Sequence, residues 1–400
     1  MRTKIAILCG PRHTYGFSPL PPITDSAPER NVFRIAEHDY GEDFEVHVIS
    51  ACDHRQNKIL SGMQVSERYH NLIFHRSGYE LLQTKLFKNR VLSALTSRGL
   101  KTYDLFTYIY LTRASKLIEK LAPKIVIINS LPQYIRYLDA RFPTTKIGLF
   151  VRGEMGMSRK YLPRVDFIIT NSNGIAKYVS ELLMGKSIPI YTIPNSLDLA
   201  FCKEPLSCQK PPQLSIIFVG RIIPDKGILE LLKAFRRVQE VIPGTALKII
   251  GGNYPNNPLS EYEKTLLMYV EEFGLNVDFI GQVPNNRLAE HYSQAHLAVF
   301  PSLCRESFGM VALEAMRCGL PVIASKQPGF EELIVNGETG FLVDDPRNVE
   351  ELSAKIIKLL SDESLREKMG QAAYHCSLQY TPLKANAQFQ TLVVNELKNT

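Results

Sequence analysis

The sequence predicts an α/β protein built as two doubly wound domains, residues 1–198 and 199–381, followed by a last helix over about 382–400. Three observations lead there. Short apolar runs of strand length recur along the chain with helix-length segments between them, which is the pattern of parallel sheets buried on both faces. Residues 298–325 hold a complete strand–loop–helix–strand unit, and such units wind in one hand onto a parallel sheet. A linker-like stretch over residues 199–212, with Lys203, Glu204, Pro205, Pro211 and Pro212, divides the apolar runs into two sets. A chain of 400 residues is also long enough for two or three domains.

Residues 4–9 (KIAILC) read as the first strand, ending at a Gly10-Pro11 turn. A proline-rich loop fills 13–28, a helix is expected over 29–38, and a second strand over 44–49. Residues 82–120 mix basic and apolar side chains: Lys85, Leu86, Phe87, Lys88, Arg90, Val91, Leu92, then Leu105, Phe106, Tyr108, Ile109 and Tyr110. Two helices packed on the sheet account for this run. A helix with one basic and one apolar face on an anionic bilayer is the rival reading. Strands follow at 124–129, 146–151 and 165–172, the last with Ser172 as a helix cap.

In the second half, strands are expected at 214–221, 247–253 and 277–284, and a helix over 228–241. Arg221 offers a planar fork for phosphate oxygens, and Lys226 a point charge. Both stand on a loop after a strand, where open α/β sheets bind ligands. The unit at 298–325 opens with a strand ending at Pro301, passes through a loop carrying Glu306, and enters a helix expected from about 308 to 318. Gly319 suits the left-handed residue that ends it. The amides of Ser307, Phe308, Gly309, Met310 and Val311 form a candidate anion cradle at the helix start. Glu314 has apolar neighbours Val311, Leu313, Ala315 and Met316, so its carboxylate needs a buried partner. A phosphate cradle between two carboxylates that accept hydroxyl hydrogen bonds fits a nucleoside diphosphate sugar. Helices are expected over 347–361, 363–377 and 382–398.

Composition narrows the class. Hydrophobic content of 45% with 22% charged residues is that of a folded soluble protein. No run of about eighteen apolar residues reads as a membrane span, and the first residues read as a strand, not a signal peptide. Seven scattered cysteines without a CxxC pair suggest reduced thiols in a cytoplasmic protein. The nine histidines show no metal-ligand spacing. Residues 1–200 hold 27 Lys and Arg against 17 Asp and Glu, a balance of +10. That charge suits an anionic acceptor or membrane surface, or plain solubility. No G-x-G-x-x-G follows an expected strand, which argues against a nucleotide-dependent oxidoreductase.

The run Glu306-Ser307-Phe308-Gly309-Met310-Val311-Ala312-Leu313-Glu314-Ala315 resembles the E-x7-E motif of the retaining nucleotide-sugar glycosyltransferases of family 4. Gly329-Phe330-Glu331-Glu332 and Asn336-Gly337-Glu338-Thr339-Gly340-Phe341-Leu342-Val343 continue the pattern. Gly220-Arg221 with Lys226-Gly227 is similar to the family's G-R-x4-K-G, and Ile193-Pro194-Asn195-Ser196-Leu197-Asp198 to its I-P-N-G-V-D.

The resemblance implies the GT-B fold, with two domains facing across a cleft and the C-terminal helix crossing back to the first. The acceptor is then expected on the first domain and the donor on the second. It implies that Arg221 and Lys226 stabilise the leaving diphosphate, that Glu306 holds sugar hydroxyls, and that Glu314 holds the ribose. Gly220 and the backbone near Gln282 and Val283 would hold the rest of the nucleotide. Arg152 stands at or near the family's histidine beside the reacting sugar. Gly16 is the candidate to serve for a glycine pair that the first loop lacks.

The expected activity is metal-independent, retaining transfer of a sugar, from a UDP-sugar in preference, to a glycan or lipid-linked acceptor of envelope polysaccharide or lipopolysaccharide. The nucleotide-sugar is a substrate, so no cofactor is expected, and no nucleic acid partner. The expected place is the cytoplasm, peripheral on the inner face of the membrane if the basic run binds lipid. The rival is a catalytically impaired sugar-nucleotide-binding or scaffolding protein of the same fold.

Overall fold

The computed structural model describes residues 2–9, 27–53, 67–74, 102–153, 165–202, 210–252 and 259–398. The chain divides into two units. The first comprises Met1–Asn171, Ile175–Ile193 and Ala385–Thr400, and the second Ser172–Gly174 and Pro194–Lys384.

The first unit is a sheet of seven parallel strands: β1 (Thr3–Cys9), β2 (Phe44–Asp53), β3 (Tyr69–Phe74), β4 (Ile125–Asn129), β5 (Lys146–Val151), β6 (Phe167–Thr170) and β7 (Ile190–Thr192). Their order is β3-β2-β1-β4-β5-β6-β7, so the winding reverses between β1 and β4. Alternate side chains of β1 feed two cores. Ala6 and Leu8 pack with residues of α2 (Thr102–Leu121), α3 (Ile135–Arg141) and α4 (Asn173–Leu183). Ile5 and Ile7 pack with α1 (Ala27–Glu37) and with Phe389, Leu392 and Val393 of the C-terminal helix, Pro382–Lys398. A strand apolar on both faces is therefore needed here. Lys146 Nζ donates to the Glu396 carbonyl at 2.8 Å and to its carboxylate at 3.1 Å, and the Tyr191 hydroxyl donates to the same carboxylate at 2.7 Å. Burial first, then that carboxylate, pushes the Tyr191 phenol up to about 12.

The second unit has six parallel strands: β8 (Ser215–Val219), β9 (Ala246–Ile250), β10 (Val277–Gly281), β11 (Leu297–Phe300), β12 (Val322–Ser325) and β13 (Gly340–Val343). The order β10-β9-β8-β11-β12-β13 puts the reversal between β8 and β11. Helices α5 (Ile228–Val241), α6 (Glu261–Glu272), α7 (Asn285–Ser293), α8 (Met310–Arg317), α9 (Pro328–Glu331), α10 (Val349–Ser361) and α11 (Glu363–Ser377) join them. In α5 the buried Ile228, Leu231, Leu232, Phe235 and Val238 recur three and four apart, the spacing of one helix face. Ser260 and Glu263 close a capping box on α6. Asn348 caps α10, and Asp362 caps α11 through the Leu365 amide. The guanidinium of Arg317, fully buried, donates to Ser377 Oγ at 2.9 Å, Ser377 O at 2.7 Å, Asp198 O at 3.1 Å and Leu197 O at 3.4 Å.

Several expectations shift. The helix expected from 308 begins at Met310, because Gly309 takes φ +85° as its N-cap. Ser307 and Phe308 therefore belong to the loop. The second strand runs on to Asp53. The expected linker opens with a short 3-10 turn, Leu199–Phe201, capped by Asp198. β10 is half-exposed at the sheet edge, not a buried strand. Strand β3 and helices α6 and α7 have no counterpart in the sequence reading. Gly16, Lys85, Lys88 and Arg90 lie outside the described residues.

Candidate active site

The reversal between β8 and β11 gathers the charged residues of the second unit. A ligand crevice is expected at the carboxyl ends of the strands where winding reverses. Past β8 the chain forms Gly220-Arg221-Ile222-Ile223 and the 3-10 turn Pro224–Lys226. Past β11 it forms Pro301-Ser302-Leu303-Cys304-Arg305-Glu306. The two loops are bound to each other. The Asp225 carbonyl accepts from the amides of Leu303 at 2.8 Å and Cys304 at 3.3 Å. The Glu306 carbonyl accepts from the Gly329 amide at 3.0 Å. Two glycines allow these approaches. Gly227 has φ +67°, and a Cβ there would enter the Pro301 carbonyl. A Cβ on Gly329 would meet the Phe308 amide at 2.5 Å.

At the centre, Lys226 Nζ donates to Glu306 Oε1 in an ion pair, and Ser302 Oγ donates to the same oxygen at 2.7 Å. Ser302 is buried, while Lys226 and Glu306 are half-buried. Glu306 Oε2 has no hydrogen bond among the described residues. The Arg221 side chain is exposed and makes no ion pair among the described residues. So one cation of the pair expected for phosphate is open, and the other is held by the carboxylate expected for sugar hydroxyls.

Helix α8 contributes the next part. Gly309 turns the chain, and Ala312 and Leu313 return their amides to its carbonyl at 3.0 and 3.2 Å. The amides of Met310 and Val311 lie in the first turn, where no intrahelical acceptor exists. Phe308 is buried edge-on against Tyr380, so only its backbone can serve a ligand. Glu314 is buried and accepts a hydrogen bond from the Tyr292 hydroxyl at 3.3 Å. Burial first, then the Glu314 charge, pushes the Tyr292 phenol well above its ordinary value. It therefore stays protonated and donates. Glu314 thus has the buried partner that its apolar neighbours require.

The strand ends beside β8 are lined by glycine. The Gly220 amide donates to Ile250 O at 2.9 Å, and the Gly251 amide to Gly281 O at 2.8 Å. Gly251 has φ +140°, and a Cβ there would collide with the Gly220 carbonyl. Gln282, exposed, lies along Gly252, and Val283 is half-buried. The backbone is bare enough here for a flat group to approach it.

Arg152 belongs to the first unit. Its Nε donates to Asn129 Oδ1 at 2.9 Å, and its guanidinium lies 3.7 Å over the Phe150 ring. Asn129 in turn donates to Cys9 Sγ at 3.6 Å, so three adjacent strand ends meet at the first unit's reversal. Ser130 follows with φ +59°, a strained conformation of the kind found at functional sites. The sequence reading carries Gly227 and Gly329 within its motifs but assigns no role of their own to them, nor to Ser302, Gly251, Tyr292 or Asn129. The glycines beside Lys226 and Gly252 were visible as punctuation, and Ser302 only as part of a loop.

The sequence profile of the family described as "Glycosyl transferases group 1" matches residues 209–375. The chain is similar to a lipopolysaccharide 1,2-N-acetylglucosaminetransferase of Salmonella typhimurium, 30% identical over 249 residues, or 60% of this chain and 64% of that one. It is also similar to the capsular polysaccharide biosynthesis glycosyltransferase CapM of Staphylococcus aureus, 36% identical over 160 residues and 38% of each chain. The match spans less than two thirds of either relative. Among solved structures, Anabaena HepE in complex with UDP has TM-score 0.72 and 17% identity, covering 98% of this chain and 100% of that one. Sucrose-phosphate synthase from Thermosynechococcus elongatus has TM-score 0.73 and 20% identity, covering 100% of both.

Proposed function

Residues 209–375 belong to the glycosyl transferases group 1 family and the chain has the GT-B fold, and from that premise we propose that the protein moves a sugar from a nucleoside diphosphate donor to a hydroxyl acceptor. The donor favoured is a UDP-sugar. The acceptor is a glycan or a lipid-linked glycan of envelope polysaccharide or lipopolysaccharide, in keeping with the names of its relatives. The observation that carries the proposal is the Lys226–Glu306 pair at the sheet reversal, which ties the loop that holds the open Arg221 to the loop after β11.

The chemistry assigns a task to each group. The bond from the anomeric carbon to the phosphate oxygen breaks, and its electrons leave with the diphosphate. Arg221, Lys226 and the first-turn amides of α8 oppose that growing charge, which is stabilisation specific to the transition state. Lys226 reaches phosphate by sharing or leaving Glu306. Glu306 then takes sugar hydroxyls and Glu314 the ribose. The acceptor hydroxyl oxygen bonds to the anomeric carbon on the face the diphosphate left and gives its proton to the departing phosphate oxygen, so configuration is retained. Arg152 serves the acceptor side, from the first unit.

A thermal-shift panel of UDP-, GDP- and ADP-sugars, followed by donor hydrolysis without acceptor, tests the reading. A ligand that binds the folded state raises the melting temperature by mass action. The expected result is a rise with UDP-sugars and slow release of UDP. Binding without hydrolysis or transfer would favour an impaired, sugar-nucleotide-binding protein, and no shift with any donor would overturn the reading.

A further inference from the structure

Lys226 has two claimants in the reaction proposed above, the Glu306 carboxylate and the donor phosphates. Ser302 has one. Its hydroxyl is buried at 2% exposure and donates to Glu306 Oε1 at 2.7 Å. The backbone around it is fixed from both sides, by the Asp225 carbonyl on Leu303 and Cys304 and by the Gly329 amide on Glu306. With the main chain held, the rotation of the Glu306 carboxylate is set by whatever grips its oxygens. Both gripping donors sit on Oε1, and Oε2 carries no hydrogen bond among the described residues.

We propose that Ser302 is a positioning residue that holds Glu306 Oε1 inward and thereby presents Oε2 to a hydroxyl of the transferred sugar. When donor phosphate draws Lys226 away, the serine hydroxyl is the grip that remains. A carboxylate turned by one fixed donor distinguishes sugars by where their hydroxyls lie, because an accepting oxygen left without its hydroxyl is costly. Ser302 never touches the donor. Its effect reaches the sugar through Glu306 and leaves the nucleotide alone.

The proposal rests on the donor reading above, and the experiment separates the two. Isothermal titration measures UDP, UDP-glucose, UDP-galactose and UDP-N-acetylglucosamine on wild type, Ser302→Ala and Ser302→Thr. For wild type, at least one UDP-sugar binds tighter than UDP, and that ratio is the sugar's increment. In Ser302→Ala the increment falls about ten- to a hundredfold, the worth of one hydrogen bond to a charged group, while the Kd for UDP stays as in wild type. Ser302→Thr keeps the hydroxyl and restores most of the increment. A full increment in Ser302→Ala overturns the proposal. So does an equal weakening of UDP itself, which marks a merely structural serine. Wild type that binds no UDP-sugar more tightly than UDP overturns the UDP-sugar reading of the site instead, and the serine's role with it.

Discussion

Gly227 lies against the Pro301 carbonyl so closely that a Cβ would overlap it, with φ at +67°. This is the seam between the Lys226 loop and the Glu306 loop. Gly227→Ala is expected to cost at least about 2 kcal/mol, from the left-handed backbone and the forced separation together. Denaturant unfolding of the variant checks it. A stability within about 0.5 kcal/mol of wild type, the range of neutral surface changes, would show that the seam opens freely.

Arg221→Ala and Lys226→Ala are each expected to lower turnover by about 10²–10³, the loss of one transition-state charge contact. Lys226→Ala also leaves Glu306 without its ion-pair partner, so its donor affinity should change more than that of Arg221→Ala. Steady-state rates close to wild type in both variants would remove the phosphate role.

Turnover is expected to persist in excess EDTA. No Asp-x-Asp stands at the end of an expected strand to hold a divalent ion on the diphosphate, and the two cations supply opposing charge. Activity lost on chelation and restored by magnesium or manganese would refute this.

Acid should weaken the second unit through His296. This side chain is buried, and its Nδ1 accepts from the Ser215 amide at 3.1 Å. Burial first, then Lys210 and Arg366, pushes its pKa from 6.5 down to about 4. Folded His296 stays neutral where the unfolded chain already takes a proton. Its contribution is therefore complete above pH 6.5 and is lost as pH falls from 6.5 towards 4. Between pH 7 and 5 wild type should lose about 1–2 kcal/mol more than His296→Gln. Parallel stability curves for the two proteins would contradict the assignment.

The amino-terminal 200 residues, with their balance of +10, are expected to bind anionic vesicles weakly and in a salt-sensitive way. Lys85, Lys88 and Arg90 alternate with Leu86, Phe87, Val91 and Leu92, and each basic residue at such a surface adds about 1 kcal/mol. Screening within a Debye length should abolish the effect at high salt. Sedimentation of the full chain with phosphatidylserine vesicles decides. Absence from the pellet at low salt would favour a soluble acceptor.

How much of this the sequence disclosed follows from how local each signal is. Helix α5 runs over the residues expected of it, Ile228–Val241, because Gly227 and a clean apolar face mark it within one short stretch. Both loops of the site could be found, since each follows a strong apolar strand. That Lys226 would pair with Glu306 could not, because eighty residues separate them and only the strand order joins β8 to β11. The start of α8 was misplaced because nothing in Ser307-Phe308-Gly309 announces that glycine turns left-handed. Helix α7 escaped notice for want of a pattern, as only Leu288 and Tyr292 of its nine residues are buried.

Phe389, Leu392 and Val393 complete the core beneath β1, the first strand of the chain. During synthesis the segment that carries them, Ala385–Thr400, emerges after all the rest of the first unit. Everything from Pro194 to Lys384 is a continuous body that can close as soon as it leaves the ribosome. Domains usually form in the order they are made. Here the sheet made before Pro194 keeps part of one apolar face uncovered until the later body has been made and the helix Pro382–Lys398 arrives. The nascent amino-terminal half thus exposes apolar surface that a chaperone would cover, and any stop before Phe389 leaves that core without these residues.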